Sequence, residues 1–170
     1  MRRGELAVPA LIRRLDHTAA EDRAMTAAVL SRMGPTGRAA APALARVMRD
    51  DPDWSVRVTA AQALDRVAGD DPATVAVLAR ALADGAETDR CQAAALLAGH
   101  PERPDVVVPA LAAATRDSNW RVRLAAVEAL ERLGPTAAAA APALADAARD
   151  PVPCIRPLAA EALERLTARP

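Results

Sequence analysis

The chain has no Phe, no Tyr and no Lys, and its only large aromatics are Trp54 and Trp120. A core without aromatic plugs must be built from small aliphatic side chains, so its elements must approach closely. Alanine and leucine dominate instead; alanine is the best helix former and loses no side-chain entropy on burial, which favours an all-helical chain. The two cysteines, Cys91 and Cys154, fall far apart on segments that read as helices, so no disulfide and a reducing, cytoplasmic setting are expected. No apolar run is long enough to span a bilayer, and MRRGELAVPAL lacks a signal-peptide pattern.

Nor is there an excess of either charge. With 22 acidic and 22 basic residues the formal net charge is zero. Divided along the chain it runs about +2 over residues 1–33, +1 over 34–67, −3 over 68–100 and zero over the remainder, so no segment is strongly basic. That argues against bulk electrostatic binding of nucleic acid, leaving only the spaced Arg13, Arg46 and Arg80 as a weak stripe. GxSxG, a phosphate-binding glycine loop and HExxH are all missing, and His17 and His100 have no partner at ligand spacing. The expectation is no catalytic residue, no metal and no cofactor.

What the chain does have is a period. Arg23, Arg57, Arg90, Arg123 and Arg156 recur at steps of 34, 33, 33 and 33 residues, and a leucine follows each by seven: Leu30, Leu64, Leu97, Leu130 and Leu163. A constant period of this length is that of a stacked helical hairpin. Five hairpins are expected, over residues 1–33, 34–67, 68–100, 101–133 and 134–170, forming one domain over 1–170.

Each hairpin opens on a proline-led segment: VPALIRRLD at Val8, APALARVMRD at Ala41, VPALAAATRD at Val108 and APALADAARD at Ala141. Proline is tolerated in a first helical turn, so Pro9, Pro42, Pro109 and Pro142 mark helix starts, while the third hairpin starts differently, after Pro72. The first helices are expected to end at Asp16, Asp50, Asp84, Asp117 and Asp150. Asp53, Ser118 and Asn119 are placed to cap the second helices, and Gly34 and Gly134 to close them in a left-handed conformation. GHPERP at Gly99 predicts an irregular connection, and Pro157 a bend or a short first turn in the last helix.

On each second helix the positions one before the arginine and three, seven and ten after it are mostly apolar, which predicts a core stripe. Positions one, five and eight after it are expected to face outward. Trp54 and Trp120, three residues before their arginines, are expected to plug gaps between hairpins; exposed, they would instead be binding anchors.

DSNWRVRLAAVEALERLG at Asp117, followed by DPDWSVRVTAAQALDRVAG at Asp51, resembles the HEAT-repeat family, above all short alanine-rich bacterial repeats such as those of phycobilisome-lyase-like proteins. Asp89 departs from the pattern where the stripe expects valine, as does Pro157. The resemblance implies a right-handed α-α superhelix, an α-solenoid. It also implies a ladder of ion pairs that joins Asp50, Asp84, Asp117 and Asp150 with Arg57, Arg90, Arg123 and Arg156.

The function expected is that of a non-enzymatic scaffold binding a protein or peptide on a concave surface of second helices. Its candidate residues are Trp54, Val58, Gln62, Asp65, Cys91, Trp120, Leu124, Glu128 and Glu131, an apolar strip with an acidic border. The alternative is an enzyme or accessory of the bilin-lyase or DNA-glycosylase type. The end faces carry no dedicated polar cap, so stacking on another domain or copy is a further expectation.

Overall fold

The computed structural model describes residues 5–69 and 72–167, and among these no strand occurs. The helices follow one another in pairs: α1 (Val8–Arg14) with α2 (Ala20–Met33), α3 (Ala41–Asp50) with α4 (Trp54–Ala68), α5 (Pro72–Asp84) with α6 (Glu87–Leu97), α7 (Pro104–Ala114) with α8 (Trp120–Leu133), and α9 (Ala141–Ala147) with α10 (Ile155–Thr167). The 3-10 helices Gly34–Ala40 and Gly134–Ala140 lead into α3 and α9.

Proline sets the entry to these helices. Pro9, Pro42 and Pro142 lie in the first two positions of α1, α3 and α9, where a missing N–H costs nothing. Pro109 differs, since it lies inside α7, which begins at Pro104. There Pro104 supplies an earlier start, and Asp105 in the first turn suits the positive end of the helix dipole. Pro157 falls in the first turn of α10 and interrupts nothing.

The exits are set by polar side chains and glycine. Asp53 caps α4 by accepting from the N–H groups of Ser55 and Val56, and Asn119 caps α8 by accepting from that of Arg121. Gly34 and Gly134 have φ of +56° and +55° with ψ of −138° and −136°. The sign of φ is the one expected, but the ψ values leave the left-handed helical basin for a region open essentially to glycine alone. Three first helices also end earlier than expected, so that Asp16, Asp117 and Asp150 lie in the turns; for Asp117 and Asp150 the reason is that each folds back onto the N–H two residues on.

The chain divides into two compact units, 1–77 and 78–170, with the boundary inside α5. In the first, α4 packs against both α2 and α3. In the second, α8 packs against α6, α7 and α10, and α10 also against α9. The leucine seven after the arginine is the centre of each layer: Leu30, Leu64, Leu97 and Leu130 are buried, each contributing about 2 kcal/mol by leaving water. Leu163 is half-buried. Three after the arginine, Thr26, Ala60, Ala93, Ala126 and Ala159 are all buried, and their small size is what brings neighbouring helices close.

Candidate interaction surface

The turns carry an ordered set of ion pairs. In the first unit Arg23 donates from Nε and Nη2 to the Asp51 carboxylate at 2.6 and 2.8 Å, and from Nη1 to the carbonyls of His17 and Thr18 at 3.0 and 2.9 Å. In the second unit Arg90 grips Asp117 at 2.9 and 3.1 Å, and Arg123 grips Asp150 at 2.7 and 3.0 Å. Each is a two-pronged guanidinium–carboxylate contact from one hairpin to the next, with a spare prong on a turn carbonyl of its own hairpin. The carboxylate is bifunctional: Asp51, Asp117 and Asp150 each accept from the N–H two residues on, so one side chain closes its own turn and anchors the preceding hairpin.

This corrects the expected ladder at several positions. Asp50 is exposed, and the residue that meets an arginine is its neighbour Asp51, which stands six residues before Arg57 as Asp117 and Asp150 stand six before Arg123 and Arg156. Arg23, left out of the expected ladder, belongs to it. Arg57 donates to the carbonyl of Met48 at 3.0 Å and lies over the Trp54 ring at 4.1 Å. Asp84 and Arg156 are exposed. The signal that would have found Asp51 is its distance from the arginine, not its place at a helix end.

Electrostatics agree with the geometry. Burial pushes the Asp51 carboxyl upward, but the Arg23 hydrogen bond, the Asp53 N–H and the charges of Arg23 and Arg57 outweigh it, leaving its pKa below the ordinary value. For Asp150 the Arg123 hydrogen bond is the largest influence and again holds the pKa down. The cleft of about 270 Å³ beside this turn in the first unit is lined by Asp16, His17, Arg23, Arg46, Asp50 and Asp51 among others. Arg23 is committed to Asp51 and Arg46 to Asp16, so its guanidinium groups are already engaged.

The second-helix residues expected to face outward divide by unit. In the first, Val58 is fully buried at 0% exposure, while Trp54, Gln62 and Asp65 are half-buried. Val58 fails as a surface residue because α4 is flanked by both α2 and α3, and a helix covered on two flanks buries a wider arc than one stripe. In the second unit Cys91 and Leu124 are half-buried, Glu128 is exposed, and Trp120 stands 41% exposed at the first position of α8. Trp120 therefore departs from the expected packing role. Its ring is faced by Arg121 at 5.1 Å, which in turn pairs with Glu87 of α6 at 3.1 Å.

The acidic border is partly neutralised from within. Arg165 of α10 bridges Glu131 at 3.0 Å and Glu161 at 2.9 Å. Burial first, and the Glu87 charge second, raise the Cys91 thiol pKa, so the side chain is a protonated, weakly nucleophilic surface group at neutral pH. Cys91 and Cys154 are both free, and Cys154 lies in the turn before α10 rather than on the helix. Among the described residues no group of three or more His, Cys, Asp or Glu could hold a metal ion, and no helix is long and apolar enough to cross a membrane.

Helical hairpins repeated in register and joined by arginine–aspartate pairs define the α-solenoid class. The family model for HEAT repeats matches residues 8–98 and 88–164, and the chain belongs to the HEAT-repeat family. Comparison with curated proteins returns no match. Among solved structures, the chain is similar to the complex of CpcE and CpcF of phycocyanin lyase from Nostoc sp. PCC7120, at 24% identity and a TM-score of 0.67, covering 92% of this chain and 98% of that one. It is also similar to a designed armadillo repeat protein in complex with the peptide (KR)4, at 18% identity and a TM-score of 0.69, covering 95% and 82%. An engineered protein matches at 19% identity with a TM-score of 0.64, covering 94% and 78%. At these identities the likeness concerns the fold.

Proposed function

We propose that the chain is a non-enzymatic, cytoplasmic HEAT-repeat scaffold that holds a protein or peptide segment on the second-helix surface of residues 78–170. The observation that carries this reading is Trp120, a large aromatic left 41% exposed in a chain that has only two. Tryptophan is enriched where interfaces concentrate their binding energy, and a rigid helix start presents it at little entropic cost.

Leu124, one turn further along α8, and Cys91 on α6 add half-exposed apolar area, and Glu128 adds an acidic edge. The segment that fits is helical or extended, with an apolar side chain for Trp120 and Leu124 and a basic one for Glu128. Glu131 contributes less to that preference because Arg165 already neutralises it. Trp54, Gln62 and Asp65 offer a smaller surface of the same kind on the first unit. The designed armadillo relative holding (KR)4 illustrates a similar fold accepting a basic extended peptide. Free cysteines in both positions support a reducing, cytoplasmic location.

The test uses a Trp54→Phe background, in which emission reports Trp120 alone. Segments captured by the chain from native lysate are synthesised and titrated; binding is expected to blue-shift the emission, and Leu124→Arg or Trp120→Ala to weaken capture at least about tenfold. Capture of the same set by Leu124→Arg, with helicity unchanged, sinks the proposal. Covalent capture of a free tetrapyrrole, or a salt-sensitive shift of duplex DNA, would replace it with the lyase-like or nucleic-acid reading.

A further inference from the structure

The residues of α2 classed as fully exposed are Glu21, Met25, Val29 and Arg32, at spacings of four, four and three. Such spacing lays them in one straight stripe along the helix, about 16 Å long, acidic at its start, apolar in its middle and basic at its end. Met25 is 66% exposed and Val29 38%.

The same register elsewhere shows what this face is for. The counterparts of Val29 in α4, α8 and α10 are Ala63, Ala129 and Ala162, all buried, and that in α6 is Leu96, half-buried. In α8 the full set reads Arg121, Ala125, Ala129 and Arg132, with Ala125 half-buried and Ala129 buried. The counterparts of Met25 are Thr59, Gln92, Ala125 and Leu158, all half-buried, so the later helices cover this register whatever the size of its side chain. On α2 the apolar Met25 and Val29 are exposed instead, the reverse of what contact with water alone favours.

We infer that this stripe is a self-association surface, on which α2 of one chain packs antiparallel to α2 of a second copy about a two-fold axis. Antiparallel pairing sets Met25 against Val29 of the second copy and, at both ends of the contact, Glu21 against Arg32. A surface with opposite charges flanking an apolar centre is complementary to itself when reversed, which is what an isologous contact requires. Among the described residues neither end charge is consumed by an ion pair; Glu21 acts on Arg23 only through space. Because the helix dipole also favours acid first and base last, the charges acquire their pairing role only together with the apolar pair between them. One helix-on-helix contact lies at the small end of interface sizes, so the dimer is weak, with a dissociation constant on the order of ~10–100 µM.

The experiment is sedimentation equilibrium of the full chain across a concentration series, with far-UV circular dichroism confirming that each variant is folded. Val29→Asp is expected to abolish dimerisation. Glu21→Arg and Arg32→Glu are each expected to weaken it at least about tenfold, because the two-fold axis doubles every mismatch. The double variant Glu21→Arg with Arg32→Glu is expected to restore it to within about threefold, although its charges then oppose the helix dipole. A chain monomeric up to about 1 mM, a dimer indifferent to Val29→Asp, or a double variant as weak as either single one overturns the inference.

Discussion

Arg57 and Arg123 stand at the same register of closely similar helices, WSVRV in α4 and WRVRL in α8, yet they end on different partners. Arg123 grips Asp150 of the following hairpin with two prongs, whereas Arg57 donates to the carbonyl of Met48 and covers the ring of Trp54. The residue just after the tryptophan accounts for part of the difference. In α8 it is Arg121, which itself faces the Trp120 ring; in α4 it is Ser55, which offers the ring no cation, and Arg57 takes that place. A repeated residue therefore fixes a position in the stack but not a partner, which depends on what else competes for the same guanidinium.

The largest expected difference comes from deleting the two arginines in turn. Arg123→Ala strips the nearly buried Asp150 of its two-pronged partner and should cost about 3 kcal/mol in urea denaturation. Arg57→Ala removes one hydrogen bond to a carbonyl and one cation–ring contact, together about 1–2 kcal/mol. Equal losses would show that the ion pair adds nothing beyond the packing of the arginine stem. Asp50→Ala, on an exposed residue beside Asp51, serves as the control and should stay within about 0.5 kcal/mol.

Acid should sharpen the same contrast. Asp51 and Asp150 have folded-state pKa values below the ordinary one, so each binds protons more readily when the chain is unfolded. Their contribution is fully present above the unfolded carboxylate pKa of about 4 and is lost as pH falls through the lower folded value. Stability should accordingly decline below about pH 4, and Asp150→Asn should flatten that decline while lowering stability at neutral pH. An acid limb unchanged by Asp150→Asn would remove the Arg123 pair from the account.

Much of this is legible in the sequence. The period, the buried leucines and the proline-led helix starts follow from spacing alone, because a helical hairpin must present the same stripe in each copy. Asp51 was misread as Asp50 because two adjacent carboxylates end α3, and only the one whose backbone turns outward meets Arg23. Val58 was misread because periodicity assigns one buried face to a helix, while burial on the flanks is set by neighbouring helices whose side-chain sizes the helix does not encode. The exposure of Trp120 has a related reason: Trp54 stands at the same first position of its helix but lies under Arg57, whereas Arg123 is held by Asp150, a difference of partner that register does not encode.

The smallest effect concerns the two near-copy junctions, GPTGRAA at Gly34 and GPTAAAA at Gly134. They differ at two positions, the exposed Arg38 and Ala138 and the buried Gly37 and Ala137, all in 3-10 helices. A Cβ built on Gly37 would meet Cγ1 of Val67 at 3.1 Å and the carbonyl of Leu30 at 3.4 Å, so the valine would have to yield by a few tenths of an ångström. Valine is branched at Cβ and stiff in a helix, whereas its register counterpart in α10 is Leu166, whose methyls sit one bond farther out and move more freely. Gly37→Ala gains about 0.5–1 kcal/mol by restricting the unfolded chain, and the clash with Val67 should cancel that gain and leave the melting temperature unchanged or slightly lower. Ala137→Gly has no clash to relieve, so it should lose about 1 kcal/mol, or roughly 2–4 °C in a chain of this size. Adding Val67→Leu to Gly37→Ala supplies the missing freedom and should raise the melting temperature above that of Val67→Leu alone; if it does not, the branching of residue 67 is not what keeps glycine at position 37.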